Sequence, residues 1–184
     1  RALPNRQNSG SRLLIGGLSN GTLWMDNLLV WQTDVEPYAI LPHIVEALRE
    51  FRPGALRLWD GLGAPTLDAW LSSDFAQVNI GTYAKAGRLG PVDLYRALRL
   101  CEEIKTEPWL IVNPYFSRED HLGLMEYLAA PADVGYGRIR AKQGHPEPWT
   151  ATFKTIHLEC GNEMWNSIMP KNLSGQPEVY AAFA

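Results

Sequence analysis

The apolar residues of three segments recur every three or four positions, which predicts helices with one buried face. These stripes consist of Ile44, Val45, Leu48 and Phe51, then Leu94, Leu98, Cys101 and Ile104, and then Leu122, Met125 and Leu128. Pro53 and Gly54 end the first helix, and Pro91 is suited to open the second. Ser117 and Asp120 have the spacing of a capping box, which predicts that the third helix begins there.

Short runs between these helices predict β-strands. Residues 55–59 form one run, residues 108–113 form an almost wholly apolar second, and residues 156–160 alternate apolar and polar positions. The polar residues 135–149 are expected to be a loop, and a last helix is expected from Pro177. Alternating helices and strands predict a parallel sheet with right-handed crossovers.

We therefore predict an α/β fold, namely the N-terminal half of a (β/α)8 TIM barrel over residues 36–184. Residues 1–35 are predicted to be a β-rich segment, because turn-forming glycines precede a β-like run at residues 22–31. A doubly wound sheet is the alternative. No strand is followed by a Gly-x-Gly-x-x-Gly or Gly-Lys-Ser/Thr loop, so we expect no nucleotide site.

Polar and aromatic residues follow each predicted strand. Trp59 and Asp60 come after the first strand, Asn113 ends the second, and Asn162 and Glu163 follow the third. Carboxyl ends of parallel strands meet at one edge of a sheet, where barrels and doubly wound folds place their sites. The sequence therefore predicts a site at this edge.

Glu163 is the candidate for chemistry. It follows Gly161 in a tight turn, with Asn162 beside it and Trp165 two residues later, so a general acid has an amide neighbour and a partly apolar wall. A solvated loop glutamate is the alternative reading. Trp59 and Trp165 are expected to be site walls, and Glu159 is expected to be a structural salt-bridge or hydrogen-bond partner.

Composition narrows the possible partners. The 184 residues are 46% hydrophobic and 20% charged, with a net charge of −3 and no concentration of Lys and Arg. Neither nucleic acid nor membrane is therefore expected as a partner. The four histidines lack metal-ligand spacing, and no serine lies in a Gly-x-Ser-x-Gly elbow. We expect neither a metal nor another cofactor.

Four segments together resemble a known enzyme family. They are Arg-Pro-Gly-Ala-Leu-Arg at residues 52–57, residues 101–113, Gly-His-Pro-Glu-Pro-Trp at residues 144–149, and Leu-Glu-Cys-Gly-Asn-Glu at residues 158–163. In this order they resemble the α-L-arabinofuranosidases of glycoside hydrolase family 51, which belong to the retaining barrel glycosidases of clan A. Gly-Asn-Glu indicates the clan, and His-Pro-Glu-Pro points to this family.

The resemblance implies roles for several residues. Glu163 would be the general acid/base, Asn162 would hydrogen-bond the hydroxyl next to the anomeric carbon, and Asn113 would contact the same sugar. Residues 22–31 resemble a strand that precedes the barrel or closes a carbohydrate-binding sandwich. The implied partner is a carbohydrate, and an extracellular or periplasmic location is favoured.

The resulting hypothesis is a retaining glycoside hydrolase of the α-L-arabinofuranosidase type, acting on plant-type polysaccharide or oligosaccharide. Such an enzyme needs a second carboxylate roughly 5 Å from the first. No later strand supplies it, so the sequence is expected to be a fragment, with the nucleophile on the remainder of the parent chain. One alternative is a non-catalytic carbohydrate-binding remnant or pseudoenzyme.

A second alternative is another clan A glycosidase, which acts on xylosides or β-glucans. It arises because Leu-Trp-Asp-Gly occupies residues 58–61, where family 51 members carry Phe-Pro-Gly-Gly. The loop that shapes the sugar subsite therefore differs.

Overall fold

The structure is a computed structural model that describes residues 20–24, 40, 42–72, 93–163, 178 and 181. The chain divides into two compact units, Arg1–Val30 and Trp31–Ala184. Within the first unit only residues 20–24 are described, and they form no regular element. Most of the predicted β-rich segment and of the helix expected from Pro177 lies outside the described residues.

The second unit alternates helices and strands. Its elements are α1 (Pro42–Phe51), β1 (Ala55–Leu58), α2 (Asp60–Gly63), α3 (Leu67–Leu71), α4 (Leu94–Ile104), β2 (Glu107–Val112), α5 (Arg118–Ala129), α6 (Gly135–Lys142), α7 (Trp149–Thr152) and β3 (His157–Cys160). The three described strands form one sheet in the order β1-β2-β3, and both neighbouring pairs are parallel. The predicted α/β fold with a parallel sheet is confirmed.

Local signals explain where several helices begin and end. The Asp93 carboxylate accepts a hydrogen bond from the Arg96 amide, so α4 begins at Leu94, later than Pro91 suggested. Ser117 and Asp120 form the predicted capping box, each side chain accepting from the other residue's backbone N–H. These bonds satisfy amide groups that a helix start leaves unpaired.

The hydrophobic core lies on one face of the sheet. Leu110 and Val112 of β2 belong to it, and Leu56 and Leu58 of β1 pack against it. The helices contribute Leu67, Trp70, Leu94, Leu98, Cys101, Leu124, Tyr127, Leu128 and Trp149. Removing this apolar surface from water provides the main driving force for docking the helices on the sheet.

The opposite face of the sheet is largely polar. The alternation of side chains along the strands and the register place Arg57, Trp109, His157 and Glu159 on this side, which we term the polar face. Ile111 shares this face and is wholly buried. The sheet therefore has a helix-covered apolar face and a face that carries charged groups.

The prediction of a loop at residues 135–149 is wrong in part, because α6 lies within this range and α7 begins at its last residue. Arg140 of α6 is wholly buried and donates hydrogen bonds to four backbone carbonyls. The acceptors are Tyr127 O at 2.7 Å, Ala130 O at 2.7 Å, Pro146 O at 3.0 Å and His145 O at 3.1 Å. A buried arginine replaces the apolar stripe that would have indicated a helix, so periodicity could not find it.

The turn after β1 requires a glycine at position 61. A Cβ there would lie 2.4 Å from Ile111 O and 2.6 Å from the Trp70 ring. Gly61 thus lets α2 pack directly against the end of β2. Asn113 strengthens this contact, since its Nδ2 donates to Ala64 O at 2.8 Å. The close backbone approach at Gly61 and the side-chain hydrogen bond of Asn113 thus hold the ends of β1 and β2 together.

Within the part of the chain that the structure describes, no helix combines the length and the apolar character needed to cross a membrane.

Candidate functional site

The carboxyl ends of the three described strands lie side by side. Leu58 pairs with Leu110 and Val112 pairs with Cys160, so the residues that follow the strands emerge at one edge. The Gly161 amide donates to Val112 O at 2.8 Å, which extends the contact one residue beyond β3. The convergence predicted from the parallel topology is therefore confirmed.

Arg57 connects β1 to β3 across the polar face. Its Nε donates to Glu159 Oε2 at 2.8 Å, and its Nη2 donates to Glu159 Oε1 at 2.5 Å. The same Nη2 also donates to Asn162 Oδ1 at 2.6 Å. This fork-to-carboxylate geometry is the strong form of an arginine ion pair. It links the first strand directly to the turn that carries the candidate acid.

Two indole rings flank the guanidinium group of Arg57. The Arg57 Cζ lies 5.3 Å from the centroid of the Trp59 ring and 5.9 Å from that of Trp109. Both distances are within the range of cation–π attraction. The hydrogen bond to Glu159 raises the pKa of Arg57 against the lowering effect of burial, and the charges of Glu159 and Glu163 raise it further. The Glu163 carboxylate therefore lies close enough for its field to act on Arg57.

The turn after β3 has an unusual backbone. Gly161 has φ = 71° and Glu163 has φ = 45°, so both adopt the left-handed region. This conformation is ordinary for glycine, whereas it costs a residue with a Cβ about 1–2 kcal/mol. Glu163 is exposed and Asn162 is only 3% exposed. The turn thus presents the carboxylate outward above a nearly buried amide.

The structure places the other predicted site residues as follows. Trp59 is 41% exposed at the end of β1 and remains available as a wall. Asn113 is half-buried; its Nδ2 holds Ala64 O, and its Oδ1 accepts from the Tyr115 amide at 2.9 Å. Asp60 begins α2, but its side chain is outside the described part, as is Trp165 entirely. Sugar contact by any of these residues stays a prediction.

Glu159 has the structural role expected of it. The hydrogen bond from Arg57 lowers the pKa of Glu159, burial opposes this effect, and the positive charge of Arg57 reinforces it. A second hydrogen-bonded pair lies on the polar face at the start of β2 and β3, where His157 Nε2 and Glu107 Oε2 are 3.0 Å apart. Hydrogen bonds from His157 and Thr155 lower the pKa of Glu107.

The Arg57–Glu159 pair should make stability depend on acidity. Because the pKa of Glu159 is lower in the folded protein than in the unfolded chain, its contribution is complete above the unfolded value of about 4.3. It is lost as the pH falls through the lower, folded pKa. We expect Glu159→Gln to reduce the free energy of unfolding by about 1 kcal/mol at pH 7. This difference should shrink below about pH 4.

Urea titrations between pH 3 and pH 7 measure this difference. Glu50→Gln provides the control, since Glu50 is exposed on α1 and has no hydrogen bond or ion pair with the described residues. A Glu159→Gln effect that stays constant down to pH 3 would contradict the ion-pair explanation.

Sequence reasoning gave Arg57 and Trp109 no individual role at the site. A signal for Arg57 was present, because it lies between Leu56 and Leu58 in a short strand and must therefore point away from the face that they share. Its partners could not be found in the same way. Glu159 and Asn162 are 102 and 105 residues away, and only the strand order and register bring them together.

No cluster of three potential metal ligands among His, Cys, Asp and Glu occurs within the described ranges. The described part of the site contains a carboxylate, an amide, a guanidinium group and two indoles.

The fold is shared with glycoside hydrolases of known structure. An α-L-arabinofuranosidase from Thermotoga maritima, solved as an arabinose complex, is 20% identical with a TM-score of 0.53, covering 72% of this chain and 27% of that chain. A second arabinofuranosidase structure is 17% identical with a TM-score of 0.55, covering 82% of this chain and 32% of that chain. These likenesses establish the shared fold.

A stretch of 45 residues is 44% identical to an extracellular exo-α-L-arabinofuranosidase of Streptomyces chartreusis, which amounts to 24% of this chain and 5% of that protein. No protein-family model matches the chain. The resemblance to α-L-arabinofuranosidases is confirmed by these similarities. The chain spans less than a third of the length of each of these proteins.

Proposed function

We propose that this chain carries the acid/base part of the active site of a retaining glycoside hydrolase of the α-L-arabinofuranosidase type. The observation that supports it most directly is the position of Asn162 and Glu163. They follow β3 at the carboxyl edge of a parallel sheet, and Arg57 from a non-adjacent strand holds the amide of Asn162. Barrel enzymes build their sites at this edge.

In the proposed mechanism, Glu163 acts twice. It first donates its proton to the leaving glycosidic oxygen, and it then removes a proton from the water that releases the sugar. Asn162 would bind the hydroxyl next to the anomeric carbon. Trp59, Asp60, Asn113 and Trp165 would complete the wall and contacts of the sugar subsite.

The proposed retaining mechanism also requires a second carboxylate, which acts as the nucleophile. Glu159 lies nearest in sequence, but both of its oxygens accept hydrogen bonds from Arg57, so it is poorly suited to attack a sugar. We propose that the nucleophile comes from a strand outside residues 1–184 and that the described sheet forms part of a (β/α)8 barrel. The short coverage of the similar enzymes supports this proposal.

The proposed substrate is an arabinose-containing polysaccharide or oligosaccharide, and the proposed location is extracellular or periplasmic. The extracellular Streptomyces relative supports both. A carbohydrate-binding protein without turnover is the second candidate. The described residues favour it in one respect, because Glu159, the carboxylate nearest to Glu163 in sequence, is held through both oxygens by Arg57.

One experiment separates the two functions. The mass of the polypeptide that carries this sequence in its source would be measured together with its hydrolysis of an α-L-arabinofuranoside. The hydrolase proposal expects activity in a polypeptide well above 20.6 kDa, the mass of these 184 residues. A polypeptide of that mass which binds the sugar but does not hydrolyse it would favour the binding function.

A further inference from the structure

The amide group of Asn162 can adopt only one orientation beside Arg57. A guanidinium group has hydrogen-bond donors and no acceptor, so the atom that it contacts at 2.6 Å must be the amide oxygen. The amide nitrogen of Asn162 then faces away from Arg57. The chemistry of the partner, and not the shape of the side chain, fixes this assignment.

Arg57 is itself held against rotation. Glu159 engages Nε and one hydrogen of Nη2, which leaves the second hydrogen of Nη2 directed at Asn162. Arg57 and Glu159 together bridge β1 and β3, which are two strand spacings or about 10 Å apart. Trp59 and Trp109 restrict the guanidinium from the sides. The ion pair with Glu159 and the contacts with the two indoles restrict the guanidinium group. The N–H group that Arg57 directs at Asn162 is therefore preorganised.

The amide nitrogen of Asn162 is the group of this side chain that can donate to a ligand. No described residue accepts a hydrogen bond from it. Trp149 Nε1 is the only wholly buried polar side-chain atom without a partner among the described residues, so the Asn162 nitrogen is not such an orphaned group. Asn162 as a whole is 3% exposed, so a ligand can contact only a small part of this residue.

We propose that Arg57 and Glu159 are positioning residues that fix Asn162 as a hydrogen-bond donor, so that the site selects a ligand oxygen acting as acceptor. This inference rests on the proposed function for the identity of the ligand, a furanoside whose hydroxyl next to the anomeric carbon meets Asn162. That hydroxyl would accept from Asn162 and direct its own proton elsewhere.

Fluorine and hydrogen substitutions of the hydroxyl test this polarity. Fluorine can accept a hydrogen bond weakly but cannot donate one, and hydrogen can do neither. Methyl α-L-arabinofuranoside, its 2-fluoro analogue and its 2-deoxy analogue would be titrated into the polypeptide that carries this sequence in its source, and the three dissociation constants would be compared. We expect the hydroxyl compound to bind best and the fluoro analogue to bind better than the deoxy analogue, which should be weaker than the parent by about tenfold.

Three variants assign this preference to the positioning residues. Glu159→Gln should reduce the difference between the fluoro and deoxy analogues to less than about twofold, since a neutral amide no longer holds the guanidinium. Asn162→Asp keeps an oxygen for Arg57 but has no donor, so it should abolish the difference. Glu107→Gln, which makes the same change on the polar face next to His157, should leave the difference intact.

Equal affinity of the wild type for the fluoro and deoxy analogues would overturn the proposal, as would an unchanged preference in Glu159→Gln. If the wild type binds none of the three sugars, the proposed function is refuted. The positioning of Asn162 by Arg57 and Glu159 is then tested by NMR in the absence of a ligand. The side-chain amide signals of Asn162 should then shift in Glu159→Gln and stay in place in Glu107→Gln. Signals that do not shift in Glu159→Gln would refute it.

Discussion

Glu163→Gln is expected to slow the hydrolysis of an arabinofuranoside with a poor leaving group, such as an alkyl alcohol, by about 100- to 10,000-fold. An alkoxide is too basic to leave without a proton, and glutamine has none to give. A dinitrophenolate leaves without protonation, so the first bond cleavage of that substrate should be nearly unaffected. The measurement is kcat/KM for both substrates, on the polypeptide that carries this sequence in its source.

A second readout separates the base role of Glu163 from its acid role. The variant should accumulate a glycosyl-enzyme with the dinitrophenyl substrate, because no base activates the water that must release the sugar. Added azide needs no deprotonation and should restore turnover of that substrate. Glu50→Gln, an exposed change on α1, is the control. If Glu163→Gln slows both substrates equally, Glu163 is not the general acid.

Arg140→Met is expected to lower the free energy of unfolding by about 3–5 kcal/mol. Methionine fills much of the volume of the arginine stem but donates no hydrogen bond. The carbonyls of Tyr127, Ala130, His145 and Pro146 would then lose their donor in the interior. Unsatisfied buried carbonyls are more expensive than the bonds themselves are favourable, which is why the expected effect is large.

Urea denaturation measures this effect, and Arg138→Met is the matched control. Arg138 lies two residues earlier on the same helix and is exposed, and among the described residues its guanidinium group donates only to Asp133 O. Its replacement should change stability by less than about 0.5 kcal/mol. A loss below about 1 kcal/mol in Arg140→Met would mean that water reaches the four carbonyls, and the internal clamp would be refuted.

The sequence allowed the sheet and the edge at which its strand ends meet to be predicted, because both depend on patterns that are local. Apolar periodicity gives α4, the capping box gives the start of α5, and the apolar run gives β2. The predicted inner stripe of α5 is wrong at Leu122 and Met125, which are 47% and 42% exposed. The parallel direction of the strands follows from the alternation of elements. Glu163 could be selected because it follows a glycine directly at a strand end. Each of these inferences needs only neighbouring residues.

The missed features depend on contacts between distant or atypical residues. The sequence of α6 predicts a loop because its only large buried side chain is that of Arg140. The carbonyl groups that Arg140 contacts carry no sequence signal. The short helices α2 and α3 were missed because four or five residues are too few to show a helical period. The orientation of Asn162 depends on Arg57, which a sequence motif cannot place beside it.

Arg140 and Arg57 also differ in how far along the chain their bonds reach. The four bonds of Arg140 join residues 5 to 13 positions apart, whereas those of Arg57 join residues 102 and 105 positions apart. Closing a long loop costs more chain entropy than closing a short one, so contacts of high sequence separation form late. The contacts of Arg140 are therefore expected to form before those of Arg57. The edge with Glu163 depends on contacts that close long loops, and we expect local unfolding to expose it while α5 and α6 remain folded.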